Sequence, residues 1–123
     1  PDGTFTATIA GHPQVLKVNR SGATVERIGR GSYPLGVKSG MSWDEVAGTL
    51  ERGERLVFHS DGLTEARSPT GAEFGDAFVE TVLGWVPAAS ASSTVETMIA
   101  EWRRFTDRRP AEDDVSVAVV VRR

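Results

Sequence analysis

The run Leu56-Val57-Phe58 carries three apolar side chains in succession, without alternation. Neighbouring side chains of a strand point to opposite faces, so such a run is expected of a strand covered on both. The strand is therefore central in a layered fold. It ends on Ser60-Asp61-Gly62. A buried strand that stops at an acid and a glycine either turns a corner or presents a carboxylate to something divalent or phosphorylated.

The elements around it set the layers. "TFTATIA" alternates Phe5, Ala7 and Ile9 against threonines, and "QVLKVN" and "TVERI" flank "RSG" as a hairpin. Residues 29–43 hold four glycines and a proline, too irregular for either period, and read as a connecting loop. "EVAGTL" and "RLVFHS" around "ERGE" predict a second hairpin. After the turn-rich "SPTGAEFG" the period changes. Phe74, Phe78, Val82 and Trp85 make one helical stripe that stops at Pro87, and an Ala/Ser linker follows. Ser93 with Glu96 has capping-box spacing, and Val95, Met98, Ile99, Trp102 and Phe105 recur at helical intervals. "DVSVAVVVRR" reads as one long strand with Val115, Val117, Val119 and Val121 on one face. The expected class is α+β, two helices layered on an antiparallel sheet, the aromatic stripes serving as core.

Composition narrows the chemistry. At 123 residues, 39% hydrophobic and 25% charged, the chain is sized for one globular domain. With no cysteine, any metal must be held by oxygen donors or by the two histidines. Its apolar runs fall far short of the roughly 20 residues of a membrane span, and the start lacks the pattern of a secretion signal. A soluble, cytoplasmic protein with no membrane partner is the expectation. A net charge of −3 without a basic block argues against nucleic acid. The numbering opens on Pro1 without an initiator methionine, so the chain is expected to be cut from a longer one.

Two acid-bearing corners stand out. Asp61 follows the central strand, and Asp113-Asp114 precede the last. If those strands are antiparallel neighbours, the three carboxylates meet at one edge of the sheet, where they repel one another unless cations lie between them. Hard cations such as Mg²⁺ or Mn²⁺ suit oxygen donors, and Gly62 lets a carbonyl or water approach where a β-carbon would block it. Spacing alone leaves the alternative open, since Ser-Asp-Gly is a common turn and Glu-Asp-Asp an ordinary polar connection.

Four ordered blocks, "AGHPQVLKV", "YPLGV", "LERGERLVFHSDGLTEARSPTGAEFG" and "DDVSVAVV", resemble the metal-dependent PPM-type serine/threonine protein phosphatases, in particular their bacterial SpoIIE/RsbU-like branch. The resemblance implies that residues 1–123 are the C-terminal portion of such a domain, whose complete fold is a four-layer αββα sandwich. It implies Asp61, with Gly62 at the same corner, and Asp113 as contributors to a two-metal Mn²⁺ or Mg²⁺ centre, with Asp114 a weaker candidate. It also implies hydrolysis of phosphoserine or phosphothreonine by a metal-activated water, with no nucleophilic side chain. The implied substrate is a phosphoprotein of the anti-sigma-factor antagonist type, in a partner-switching pathway that regulates a sigma factor.

The chain departs from the family in lacking its earlier half, which carries a Gly-Asp strand motif. Asp2-Gly3 lacks that motif's flanking residues and takes no such role. Alone, the chain is expected to bind metal weakly and to turn over slowly or not at all. The upstream half is then a partner, and an uncovered edge would drive a homo-oligomer. Of the remaining residues, His12 is read as fixing its loop, His59 as a core histidine, Gly36 and Gly75 as backbone-conformation glycines, and Glu65 and Arg67 as solvated loop charges. Two rivals stay in view: a degenerate phosphatase-like module that binds a signalling partner without hydrolysis, and an unrelated magnesium-dependent phosphotransfer domain, whose usual parallel sheet fits these hairpins poorly.

Overall fold

The computed structural model describes residues 2–86 and 90–123. In chain order the elements are β1 (Thr4–Thr8), β2 (Val15–Val18), β3 (Val25–Ile28), β4 (Glu45–Thr49), β5 (Arg55–His59), α1 (Asp61–Thr64), α2 (Gly75–Gly84), α3 (Ala91–Phe105) and β6 (Val117–Val121). All pairings are antiparallel and fall into two sheets, β3-β2-β5-β6 and β1-β4. The α+β class expected from the sequence is what forms.

β5 lies inside the larger sheet, and its neighbouring residues feed two separate cores. Val57 joins Leu16, Val18, Val82, Leu83 and Met98 beneath α2 and α3. Leu56 joins Val15, Ile28, Ile9 and Leu50 on the opposite face, against which Phe5 and Val46 of the smaller sheet pack. The result is three layers: helices, a four-stranded sheet and a two-stranded sheet. Non-alternation at Leu56-Val57-Phe58 thus reflects burial on both faces. Between the helices, Phe74 meets Phe78 and Phe105 edge to face, with centroids 4.8 and 5.2 Å apart, a favoured geometry for aromatic rings.

The predicted β2–β3 hairpin forms, with Val15 opposite Ile28. The second predicted hairpin does not. The Glu51–Glu54 turn is present, closed by Glu54 N–H to the Glu51 carbonyl at 3.0 Å, but it joins strands of different sheets. β4 pairs instead with β1, where the Phe5 ring covers Gly48 so closely that a β-carbon there would sit 2.6 Å from Phe5 Cζ. A turn is a local property, whereas the choice of strand partner is made by distant packing.

Three further expectations shift. α3 is capped by Ser90, whose hydroxyl accepts from Ser93 N–H at 3.1 Å, while Glu96 accepts from Ser92 rather than closing a box with Ser93. In α2 the fully buried positions are Val79, Val82 and Leu83, and Trp85, just past the helix, is 53% exposed. The last strand spans only Val117–Val121, because Ser116 N–H turns to a side chain instead of to the ladder. Pro87, read as the stop of α2, lies outside the described residues, as does Pro1; the linker after α2 falls partly outside them.

Candidate metal centre at the paired strand ends

β5 and β6 are antiparallel neighbours with His59 opposite Val117, so the exit of β5 lies beside the entry of β6. Ser60 ties the two together. Its N–H donates to the Ser116 carbonyl at 3.0 Å. Its hydroxyl accepts from Ser116 N–H at 2.9 Å and donates to the Asp114 carbonyl at 2.9 Å. Ser60 occupies the N-cap position of α1, yet it makes no side-chain cap bond, since both roles of its hydroxyl are spent on the β6 side. Sequence reasoning missed this residue. The signal was a serine immediately before the acid that opens a helical turn.

The corner that looked like a plain turn is the first turn of α1. Gly62 is buried there, and a β-carbon on it would collide with the carbonyl oxygen of Asp114 and lie 3.4 Å from the carbonyl carbon of Asp113. The expectation that Gly62 permits close approach is met by a specific group, the Asp114 backbone. Gly36 and Gly75 also behave as expected, with φ of +81° and +73°, values that disfavour other residues.

Asp61, Asp113 and Asp114 are all exposed. Asp61 Oδ1 accepts from Gly62 N–H at 3.0 Å, and Asp113 Oδ1 accepts from Asp114 N–H at 2.7 Å. Each carboxylate is thereby oriented by its own backbone and keeps a second oxygen without a hydrogen bond among the described residues. Asp114 acts at the corner mainly through its carbonyl and N–H. Among the described residues no group of three or more His, Asp or Glu side chains is gathered closely enough to hold a metal ion. The donors of the corner are hard oxygens, which fit Mg²⁺ or Mn²⁺ in kind.

A cavity of about 400 Å³ opens beside this corner, lined by Gly62, Glu65, Arg67, Trp102, Arg109 and Asp113 among others. Arg67 is held by Glu73 at 2.8 Å and by the Gly71 carbonyl at 3.1 Å, which closes the 67–73 loop along one side. Asp107 and Arg108, both at positive φ (54° and 56°), turn the chain off the end of α3 toward Asp113. Such conformations are uncommon for residues other than glycine. His59 is buried, with Nδ1 3.1 Å from the Ser60 carbonyl, as a core histidine should be. His12 Nδ1 lies 2.6 Å from the Pro13 carbonyl and its ring meets Phe58 edge on, in keeping with a loop-fixing role.

One buried group was not anticipated. Arg55, at the start of β5, is 0% exposed. Its Nη2 donates to the Leu83 carbonyl at 3.0 Å, while Nε and Nη1 find no partner among the described residues. Desolvation lowers the guanidinium pKa from its usual value. A cation near the C-terminal end of α2 also meets the negative end of that helix's dipole.

Comparison with known proteins places these features in a family. The family model for Stage II sporulation protein E (SpoIIE) matches residues 1–123. Among curated proteins none matches the chain. Solved structures do. The PP2C phosphatase domain with a regulatory fragment of SpoIIE from Bacillus subtilis aligns with a TM-score of 0.82 at 20% identity, over 98% of this chain and 34% of that one. The SiaA-PP2C domain of Pseudomonas aeruginosa gives 0.77 at 17% identity, over 98% and 46%. The RsbU and RsbW domains of a Mycobacterium tuberculosis protein give 0.66 at 21% identity, over 98% and 33%. The chain thus spans a third to under a half of these three relatives. With the SpoIIE family model matched from end to end and the layers of a PP2C phosphatase domain in its fold, the chain belongs to the SpoIIE family, as part of such a domain.

Proposed function

We propose that this chain is the C-terminal portion of a metal-dependent protein phosphatase that hydrolyses phosphoserine or phosphothreonine on a signalling protein. The observation that carries the reading is the β5–β6 register, which brings Asp61 and Asp113 to adjoining strand ends under the control of Ser60. Asp61 and Asp113 would hold Mn²⁺ or Mg²⁺ through their free carboxylate oxygens, with Gly62 and Asp114 shaping the corner. When bound, such ions supply an activated water and charge stabilisation for phosphoryl transfer. The remaining ligands would come from the upstream half of the domain, so the isolated chain binds metal weakly and turns over little.

The chain's own residues have other tasks. The Gly62–Asp114 contact fixes the spacing of the two strand ends, and the backbone bonds at Asp61 and Asp113 hold each carboxylate in one orientation. The adjoining cavity offers room for the polypeptide that flanks the phosphorylated residue, with Glu65, Arg67 and Arg109 to discriminate its charge. A phosphoprotein of the anti-sigma-factor antagonist type, acting in the cytoplasm within sigma-factor regulation, is the substrate class we propose. Among the described residues no helix is long and apolar enough to cross a membrane.

The test is calorimetric titration of Mn²⁺ into this chain and into an Asp61→Asn, Asp113→Asn double variant, followed by a phosphopeptide hydrolysis assay on the chain joined to its upstream half. Saturable binding that the double variant loses, with hydrolysis by the longer protein, supports the phosphatase. Identical titrations and no hydrolysis would put the non-catalytic partner-binding module in its place.

A further inference from the structure

The cavity beside the acidic corner is lined by polar groups of two kinds, those already engaged and those that are not. Arg67 pairs with Glu73 at 2.8 Å and donates to the Gly71 carbonyl at 3.1 Å. The buried Thr106 hydroxyl donates back to the Trp102 carbonyl at 3.0 Å. Trp102 itself is different. It lines the cavity, is 8% exposed, and its Nε1 is buried with no hydrogen-bond partner among the described residues. A buried indole N–H ordinarily has an acceptor, because an unmade bond leaves the desolvation of the group uncompensated.

Three more side chains of the wall are unengaged. Arg109 is exposed, and its guanidinium makes no hydrogen bond or ion pair among the described residues. Its backbone is fixed nonetheless, by Arg109 N–H donating to the Thr106 carbonyl at 3.2 Å after the left-handed Asp107 and Arg108. The carboxylates of Glu65 and Glu112 are likewise exposed and unpaired among the described residues.

These open groups define a ligand. Trp102 Nε1 and Arg109 can only donate, whereas the carboxylates of Glu65 and Glu112 can only accept. An anion satisfies the donors and is repelled by the carboxylates, and a cation reverses the conflict. An apolar group leaves the indole N–H without a partner. A carboxamide meets all of them, with a carbonyl oxygen for the donors, N–H groups for the carboxylates and no net charge.

We propose that the cavity is a carboxamide subsite, in which Trp102 Nε1 and Arg109 hold the carbonyl oxygen of an asparagine or glutamine side chain of the phosphoprotein and Glu65 or Glu112 holds its NH₂ group. That the side chain belongs to a substrate rests on the phosphatase reading; that the cavity takes a carboxamide does not. A volume of about 400 Å³, near the small end of ligand pockets, suits a single side chain. Asp113 lies in the same wall, which sets the subsite next to the corner where the phosphorylated residue would be held.

Propionamide, propionate and propylammonium, alike in size and different in charge, are titrated into this chain while its indole N–H resonances are followed by ¹⁵N NMR. Trp43→Phe and Trp85→Phe assign the other two indoles, and the remaining resonance is that of Trp102. Propionamide alone is expected to shift it saturably, with Trp43, already bonded to the Tyr33 carbonyl, and the exposed Trp85 unmoved. Arg109→Ala should weaken that binding at least about fivefold, the loss of one hydrogen bond from a charged donor. A stronger response to propionate or propylammonium overturns the proposal, since the ligand is then an anion or a cation. So does the absence of any shift, which leaves the indole to a buried water.

The substrate is tested on the chain joined to its upstream half, with phosphopeptides carrying glutamine, glutamate, lysine or leucine at each flanking position. At one position glutamine should exceed leucine in kcat/KM at least about tenfold, and Trp102→Phe, which keeps an aromatic ring without the N–H, should abolish the preference. Arg109→Ala, at an exposed position, reads the same loss if the Phe variant fails to fold. Equal turnover of all four peptides overturns the proposal and leaves the phosphatase reading intact. Absence of hydrolysis together with the propionamide shift upholds the carboxamide site and removes the phosphatase reading.

Discussion

The Cα of Gly62 faces the carbonyl oxygen of Asp114 with no room for a β-carbon between them. The contact joins the first turn of α1 to the segment that enters β6, and it sets the distance between the two acid-bearing strand ends. Both sides are backbone, so neither can swing aside. Gly62→Ala is expected to lower stability by about 1–3 kcal/mol, the usual cost of overpacking a close contact. Urea unfolding should show a lower midpoint at an unchanged slope. A variant as stable as the parent would mean that the strand ends are not held at this spacing.

Ser60 uses one hydroxyl twice, as acceptor from Ser116 N–H and donor to the Asp114 carbonyl. Ser60→Ala leaves both backbone groups without these partners, at a cost of about 1–3 kcal/mol where they remain shielded from water. The Ser116 amide should then exchange faster, while amides in the β2–β3 hairpin keep their rates.

Arg55 is a buried cation with one hydrogen bond and no acidic partner among the described residues. Removing a buried charge in favour of a well-packed apolar side chain is often neutral or stabilising, by about 1–4 kcal/mol. Arg55→Met should therefore match or exceed the parent in denaturant midpoint. Arg55→Ala leaves a cavity and should fall below it by about 3 kcal/mol. If Met is as damaging as Ala, the guanidinium is a structural keystone of the α2 terminus.

The two candidate caps of α3 give opposite expectations. Ser90→Ala removes the acceptor for Ser93 N–H and should cost about 1 kcal/mol. Ser93→Ala keeps that N–H and removes only hydroxyl contacts with Ser90. Thermal unfolding of the two variants, side by side, distinguishes the caps.

The sequence by itself determined the local and periodic features. An apolar run without alternation marked β5 as buried on both faces, the change of period after Gly75 marked the helices, and ordered blocks such as "FHSDGLTEA" and "DDVSVAVV" carried the family. These signals survive because each lies within a single element or turn. Tertiary structure decided everything that needed a partner. It sent β4 to β1, chose Ser90 over Ser93, buried Arg55 and gave Gly62 its reason in the Asp114 carbonyl, a group 52 residues away in the chain. It also left β6 with one side bonded and the other open. Strand pairing, close backbone approach and edge exposure depend on residues distant in sequence, and no window along the chain contains both halves of such a contact.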